Sequence, residues 1–134
     1  MMLLKKLRPL LPSFFWLWLL FILILMIIPA NGISLYDFPG RDKLIHFCLF
    51  AVLGFFFVFT KQSSKGIFRI KKRNWGTYLL ILFSLSVEVI HTQLSYRSFE
   101  LFDSLSNGLG TIAGIIIGQI IFVRIMKFLF FNES

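Results

Sequence analysis

An all-α, polytopic membrane protein, built as a bundle of four transmembrane helices with both termini cytoplasmic, is the fold class this sequence predicts. Three observations carry that expectation: an apolar composition, four apolar runs near spanning length, and a lopsided distribution of basic residues. Hydrophobic residues fill 57% of the 134 positions and the mean hydropathy is +0.84. A soluble domain of this length cannot bury that much apolar surface. The length suits one domain covering 1–134.

An α-helix needs about 20 residues to cross the hydrocarbon core, and apolar runs approach that length near 11–29, 44–60, 75–94 and 105–123. The first run follows Lys5, Lys6 and Arg8 and ends at Pro29-Ala30-Asn31-Gly32, so a secretory signal has to be weighed. Its apolar part is too long for one, and no A-x-A site precedes the break. An uncleaved helix is the better expectation.

Orientation follows from where Lys and Arg fall. Eleven of the fourteen lie in the N-terminal segment (Lys5, Lys6, Arg8), the second connection (Lys61, Lys65, Arg69, Lys71, Lys72, Arg73) and the C-terminal tail (Arg124, Lys127). Only Arg41, Lys43 and Arg97 face the other way. The termini and residues 61–74 are therefore expected in the cytoplasm, and the 30–43 and 95–104 connections outside it. The formal charge of +8 is spread among long apolar runs, which is not the footprint of a nucleic-acid-binding surface. Cys48 is the only cysteine, so there is no intrachain disulfide.

Charged and amide side chains within an apolar layer are costly, and by default they face the bundle interior and mark function. Asp42, Lys43 and His46 open the second helix, with Asp42 and His46 one turn apart. Ser84, Glu88, His91, Thr92 and Ser95 recur at three- and four-residue steps along the outer part of the third. Asp103 and Asn107 open the fourth, and Gly110, Gly114 and Gly118 follow on nearly the same face. Alternating helix direction brings Asp42, Lys43, His46, Glu88, His91, Arg97, Asp103 and Asn107 to one level.

Each of these also has a purely structural reading. Asp42 and Asp103 suit helix N-caps, Glu88 and the histidines suit interhelical hydrogen bonds, and Arg97 suits snorkelling to the interface. The glycines suit close helix packing within the chain. There is no phosphate-binding glycine loop, H-E-x-x-H, paired C-x-x-C or nucleophile elbow. Nothing in the spacing of His46, Glu88, His91 and Asp103 selects a metal, and neither a metal nor a cofactor is expected.

Asp42-Lys43-Leu44-Ile45-His46-Phe47, followed by Phe50 and Leu53, resembles the D-K-x-x-H-F signature of VanZ-like membrane proteins. Glu88, Arg97, Asp103, Asn107, Gly110 and Gly114 fall at the spacings of that family's second block. The two blocks cover roughly residues 40–118. One position departs: the family usually has Gln three residues after the Glu, where this chain has His91, and Gln93 sits two positions later on another face. The resemblance implies association with the bacterial cell envelope, since the family is named after an accessory protein of glycopeptide-antibiotic resistance.

The leading expectation is an outer-leaflet polar site that binds an envelope component, a lipid or lipid-linked glycan head group. Arg97 and Lys43 would hold its anionic group, with Asp42 beside them, and Asp103 and Asn107 would orient it. Two alternatives share these residues. An enzyme would use Glu88 with His46 or His91 as an acid/base pair, and a small transporter would use Glu88 to carry a proton. A transporter needs polar groups along the whole path, which the cytoplasmic halves of helices two to four largely lack.

Overall fold

The computed structural model describes residues 10–28, 40–65, 75–93 and 100–131. Among them are four α-helices and no strand: α1 (Leu11–Ile27), α2 (Arg41–Lys65), α3 (Trp75–His91) and α4 (Leu101–Phe131). Arg97, the basic residues Arg69, Lys71, Lys72 and Arg73, and Lys5, Lys6 and Arg8 lie outside the described residues.

The helices occupy the expected stretches, and local chemistry moves their ends. α1 stops at Ile27 because Ile28 is extended, with ψ 122, and the ring of a following proline disfavours the α region at the residue before it. α2 begins at Arg41, directly after Gly40 at φ 87, a left-handed conformation that glycine adopts without steric cost. Asp42 therefore sits in the first turn rather than at the cap. The Glu100 carbonyl accepts from the backbone N–H groups of Asp103 and Ser104, so α4 starts before Asp103 and that residue is not its cap either. Both aspartates instead face the positive end of a helix dipole. α3 ends at His91, and α4 runs on to Phe131 through Arg124 and Lys127. Those two are good helix formers, so falling hydropathy marks the end of a span and not of a helix.

Close backbone approach sets the main packing. A Cβ on Gly110 would meet the Phe47 carbonyl, one on Gly114 the Ala51 carbonyl, and one on Gly118 the Val58 side chain and the Phe55 carbonyl. Steps of four on α4 match steps of four on α2, so these two helices run parallel. Gly54 returns the fit by lying against the Thr111 carbonyl. α1 packs on α2 in the opposite direction: Trp18 Nε1 donates to the Leu49 carbonyl at 2.9 Å, and Thr60 Oγ1 to the Leu11 carbonyl at 3.3 Å. α3 opposes α4: its start lies by the later turns of α2, where a Cβ on Gly76 would meet the Lys61 and Phe57 side chains, and Ser104 Oγ donates to the Leu85 carbonyl at 2.8 Å. The four helices thus alternate in direction, and α2 and α4 start at the same end.

The distribution of burial departs from a soluble domain's: beside an apolar core that includes Ile22, Phe50 and Leu53, many polar groups are enclosed and many large apolar ones are not. His46, Ser84, Glu88, His91, Asp103, Ser104, Asn107 and Thr111 are inside, whereas Leu17, Leu20, Leu79, Leu82, Ile90, Leu109 and Ile116 are exposed. Two helices are long and apolar enough to cross a membrane, over Arg41–Lys61 and Leu101–Ile125, and only 28% and 33% of these spans is buried. The core helix of a soluble protein would be mostly covered. α1 and α3 are apolar but shorter, at 17 residues each.

Candidate functional site

The glycine contacts fix the site's register. Asn107 lies one turn before Gly110, and His46 immediately precedes Phe47, so the approach of Gly110 to Phe47 brings the imidazole and the amide face to face. His46 Nδ1 lies 3.0 Å from Asn107 Oδ1. In this orientation of the Asn107 amide, Oδ1 accepts from Nδ1–H, which leaves the Nε2 lone pair free. That lone pair faces Asp42 Oδ1 at 3.9 Å, too far for a hydrogen bond.

Lys43, one residue after Asp42, crosses to α4. Its Nζ donates to Glu100 Oε2 at 3.0 Å and lies 3.3 Å from Asp103 Oδ1. The second contact is an ion pair without hydrogen-bond geometry, because Asp103 Oδ1 is buried and has no hydrogen-bond partner. Asp103 is almost wholly enclosed, with 4% of its side chain exposed, whereas Glu100 stands at the surface. Two carboxylates thus flank Lys43, and its ammonium is already paired.

A second contact joins Glu88 and His91 on α3. His91 Nε2 donates to the Met26 carbonyl at 2.8 Å. That carbonyl is in the last turn of α1, where backbone acceptors lack intrahelical donors, so His91 satisfies a helix end. The Nε2–H tautomer leaves the Nδ1 lone pair facing Glu88 Oε2 at 3.5 Å, and both atoms are buried without a hydrogen-bond partner. Two lone pairs repel, so the contact becomes attractive only when a proton lies between them. This is the arrangement from which an acid/base pair works.

The fold therefore brings Asp42, Lys43, His46, Asp103 and Asn107 together, as a His46–Asn107 hydrogen bond beside a Lys43–Asp103 ion pair. Glu88 and His91 are joined to each other and to α1. Arg97 is outside the described residues. Glu100, the hydrogen-bond acceptor of Lys43, has no place in the sequence-level reading. Its signal was weak: an acidic residue three positions before Asp103, in what hydropathy marks as a connection.

The donor atoms of Asp42, His46 and Asp103 lie within 4.8 Å of one another. This grouping differs from the one weighed in the sequence, because Glu88 and His91 are turned to each other and Asp42 takes their place. Ser84 and Thr111 lie deeper, but their hydroxyls donate to carbonyls of their own helices, Ile81 at 2.8 Å and Asn107 at 3.0 Å.

No protein-family model matches this chain, and neither curated proteins nor solved structures provide a match. The resemblance to VanZ-like proteins rests on the motif residues themselves.

Proposed function

We propose that this is a VanZ-like protein of the bacterial inner membrane, crossing it four times with both termini cytoplasmic, and that its outer polar end binds the head group of a lipid or lipid-linked glycan. The observation that carries the reading is the buried His46–Asn107 hydrogen bond beside the Lys43–Glu100–Asp103 cluster, at one end of an otherwise apolar α2–α4 pair. Polar groups enclosed in a lipid-facing bundle are expensive, and a head group at the interface is the polar ligand within their reach. The surplus of carboxylates suits the hydroxyl, amine or metal-bound parts of such a group. Lys43 and Arg97 would address its phosphate. The alternating helix directions and the basic residues at the opposite ends fit the proposed orientation.

An acid/base enzyme is the second reading, favoured by the Glu88–His91 contact. The transporter reading has less behind it. Ser84 and Thr111 bond to their own helices, so among the described residues they do not extend a polar path away from the outer end.

Native mass spectrometry of the purified protein, with lipid profiles of cells that have or lack the gene, tests the head-group reading. A lipid or glycolipid retained by the wild type should be lost from Lys43→Ala, whose side chain is partly exposed. Equal retention by the two proteins would refute it. A product that accumulates with the wild type but not with Glu88→Gln would favour the enzyme.

A further inference from the structure

We propose that Asp42, His46 and Asp103 form a binding site for a divalent transition-metal ion of the Zn2+ class. The inference deepens the head-group reading by supplying a charge for a phosphate, but the existence of the site does not depend on it. The donor atoms come from two parallel helices and lie within 4.8 Å of one another. Two further observations point to a ligand there.

The first is the orientation of His46. A metal-binding histidine commonly donates its other ring N–H to a carbonyl or carboxylate, which fixes the tautomer. Asn107 Oδ1 does this for His46 Nδ1 at 3.0 Å, and so the bare Nε2 faces Asp42. Two ligands of one tetrahedral Zn2+, each about 2.0–2.1 Å from the metal, sit roughly 3.3 Å apart. Nε2 and Asp42 Oδ1 are 3.9 Å apart, and Asp42, with 57% of its side chain exposed, is free to close the difference.

The second is the state of Asp103. Its Oδ1 is buried and makes no hydrogen bond, and it is held only by the ion pair with the Lys43 ammonium at 3.3 Å. The nearby Lys43 ammonium hydrogen-bonds Glu100 instead, at 3.0 Å. A dication between Asp42, His46 and Asp103 would satisfy Oδ1 and neutralise the two aspartates, while Lys43 stayed on Glu100. One imidazole with two carboxylates suits Zn2+ or Mn2+ better than Mg2+ or Ca2+, which prefer oxygen alone. Three protein ligands leave one coordination position open, as in sites where the metal receives a ligand from outside.

The test uses purified full-length protein in detergent, in a Cys48→Ser background that removes the exposed thiol as a competing ligand. After stripping with chelator, ZnCl2 or MnCl2 is titrated and bound metal measured by equilibrium dialysis with mass spectrometry. We expect one ion per chain. His46→Gln and Asp103→Asn should abolish binding, and Asn107→Ala should weaken it about 10–100-fold by releasing the imidazole. If Asp103→Asn fails to fold, Asp42→Asn decides the matter, because its exposed side chain is not needed for packing. Absence of metal uptake by the parent protein, or uptake unchanged in Asp42→Asn and His46→Gln, would overturn the site. Lipid retention with and without Zn2+ is scored separately: metal binding without any retained lipid keeps the site and removes the head-group reading.

Discussion

His46 and Asn107 stand 61 positions apart in sequence and meet at 3.0 Å in the interior. Their contact registers α2 against α4 and decides which imidazole nitrogen carries the proton.

The two histidines should be found in opposite tautomers. His46 donates from Nδ1 to Asn107, and His91 donates from Nε2 to Met26. Nitrogen NMR of the 15N-histidine-labelled protein near neutral pH should resolve one ring of each kind, assigned with His46→Gln. Two rings of the same tautomer would contradict the hydrogen-bond assignment.

The His46–Asn107 bond should couple energetically. Interhelical hydrogen bonds in membrane proteins contribute about 0.6–1.7 kcal/mol. A double-mutant cycle of His46→Ala and Asn107→Ala, measured by reversible unfolding in bicelles, should return a coupling in that range. Strict additivity would mean that the pair adds nothing to the α2–α4 contact.

Two glycines of one run should behave differently. A side chain at Gly114 meets the Ala51 backbone, which has nowhere to go, whereas the nearest atom to a Cβ at Gly118 belongs to the Val58 side chain, 3.2 Å away. Gly114→Ala is expected to cost about 1–3 kcal/mol through overpacking, and Gly114→Leu more. Gly118→Ala should cost less. Thermal unfolding and the folded yield in membranes measure the order, and equal losses at the two positions would contradict it.

Glu88→Gln should be milder than Glu88→Ala. The glutamine amide keeps the shape and donates to His91 Nδ1, whereas alanine leaves that buried nitrogen facing a void, at a cost of about 1–3 kcal/mol. A larger drop in thermal stability for the glutamine variant would mean that a charged pair holds α3 in place.

For topology, cysteines introduced by Gln93→Cys and Ser64→Cys in the Cys48→Ser background should label from opposite sides. Residue 93 should react in intact cells and residue 64 only after permeabilisation. Labelling of residue 64 from outside would reverse the proposed orientation.

The number and order of the helices are legible in the sequence because apolar runs and their polar breaks record them directly. So is the shared level of Asp42, His46, Asp103 and Asn107, which follows from depth and helix direction. Partner choice is harder to read. Periodicity places His91 on the polar face of α3 but does not say that α1 lies across from it, so the Met26 carbonyl goes unseen. Glu100 is hidden for a different reason: hydropathy starts the last helix at 105, and the structure starts it at Leu101, which carries Glu100 into reach of Lys43. Asp42 and Asp103 look like caps for the same reason, since a first-turn aspartate and an N-cap aspartate differ here by only two or three positions.

The packing of α2 on α4, with α3 between them in sequence, bears on how the chain is made. A ribosome adding about 5–20 residues per second reaches Asn107 roughly 3–12 s after His46. Throughout that interval the backbone groove beside Gly54 and the imidazole of His46 have no partner in the nascent chain. The insertion machinery or surrounding lipid must accommodate a half-built polar surface until the last helix arrives. A ribosome stalled after α3 would therefore display an intermediate with His46 open to chemical modification, and release of α4 would close it.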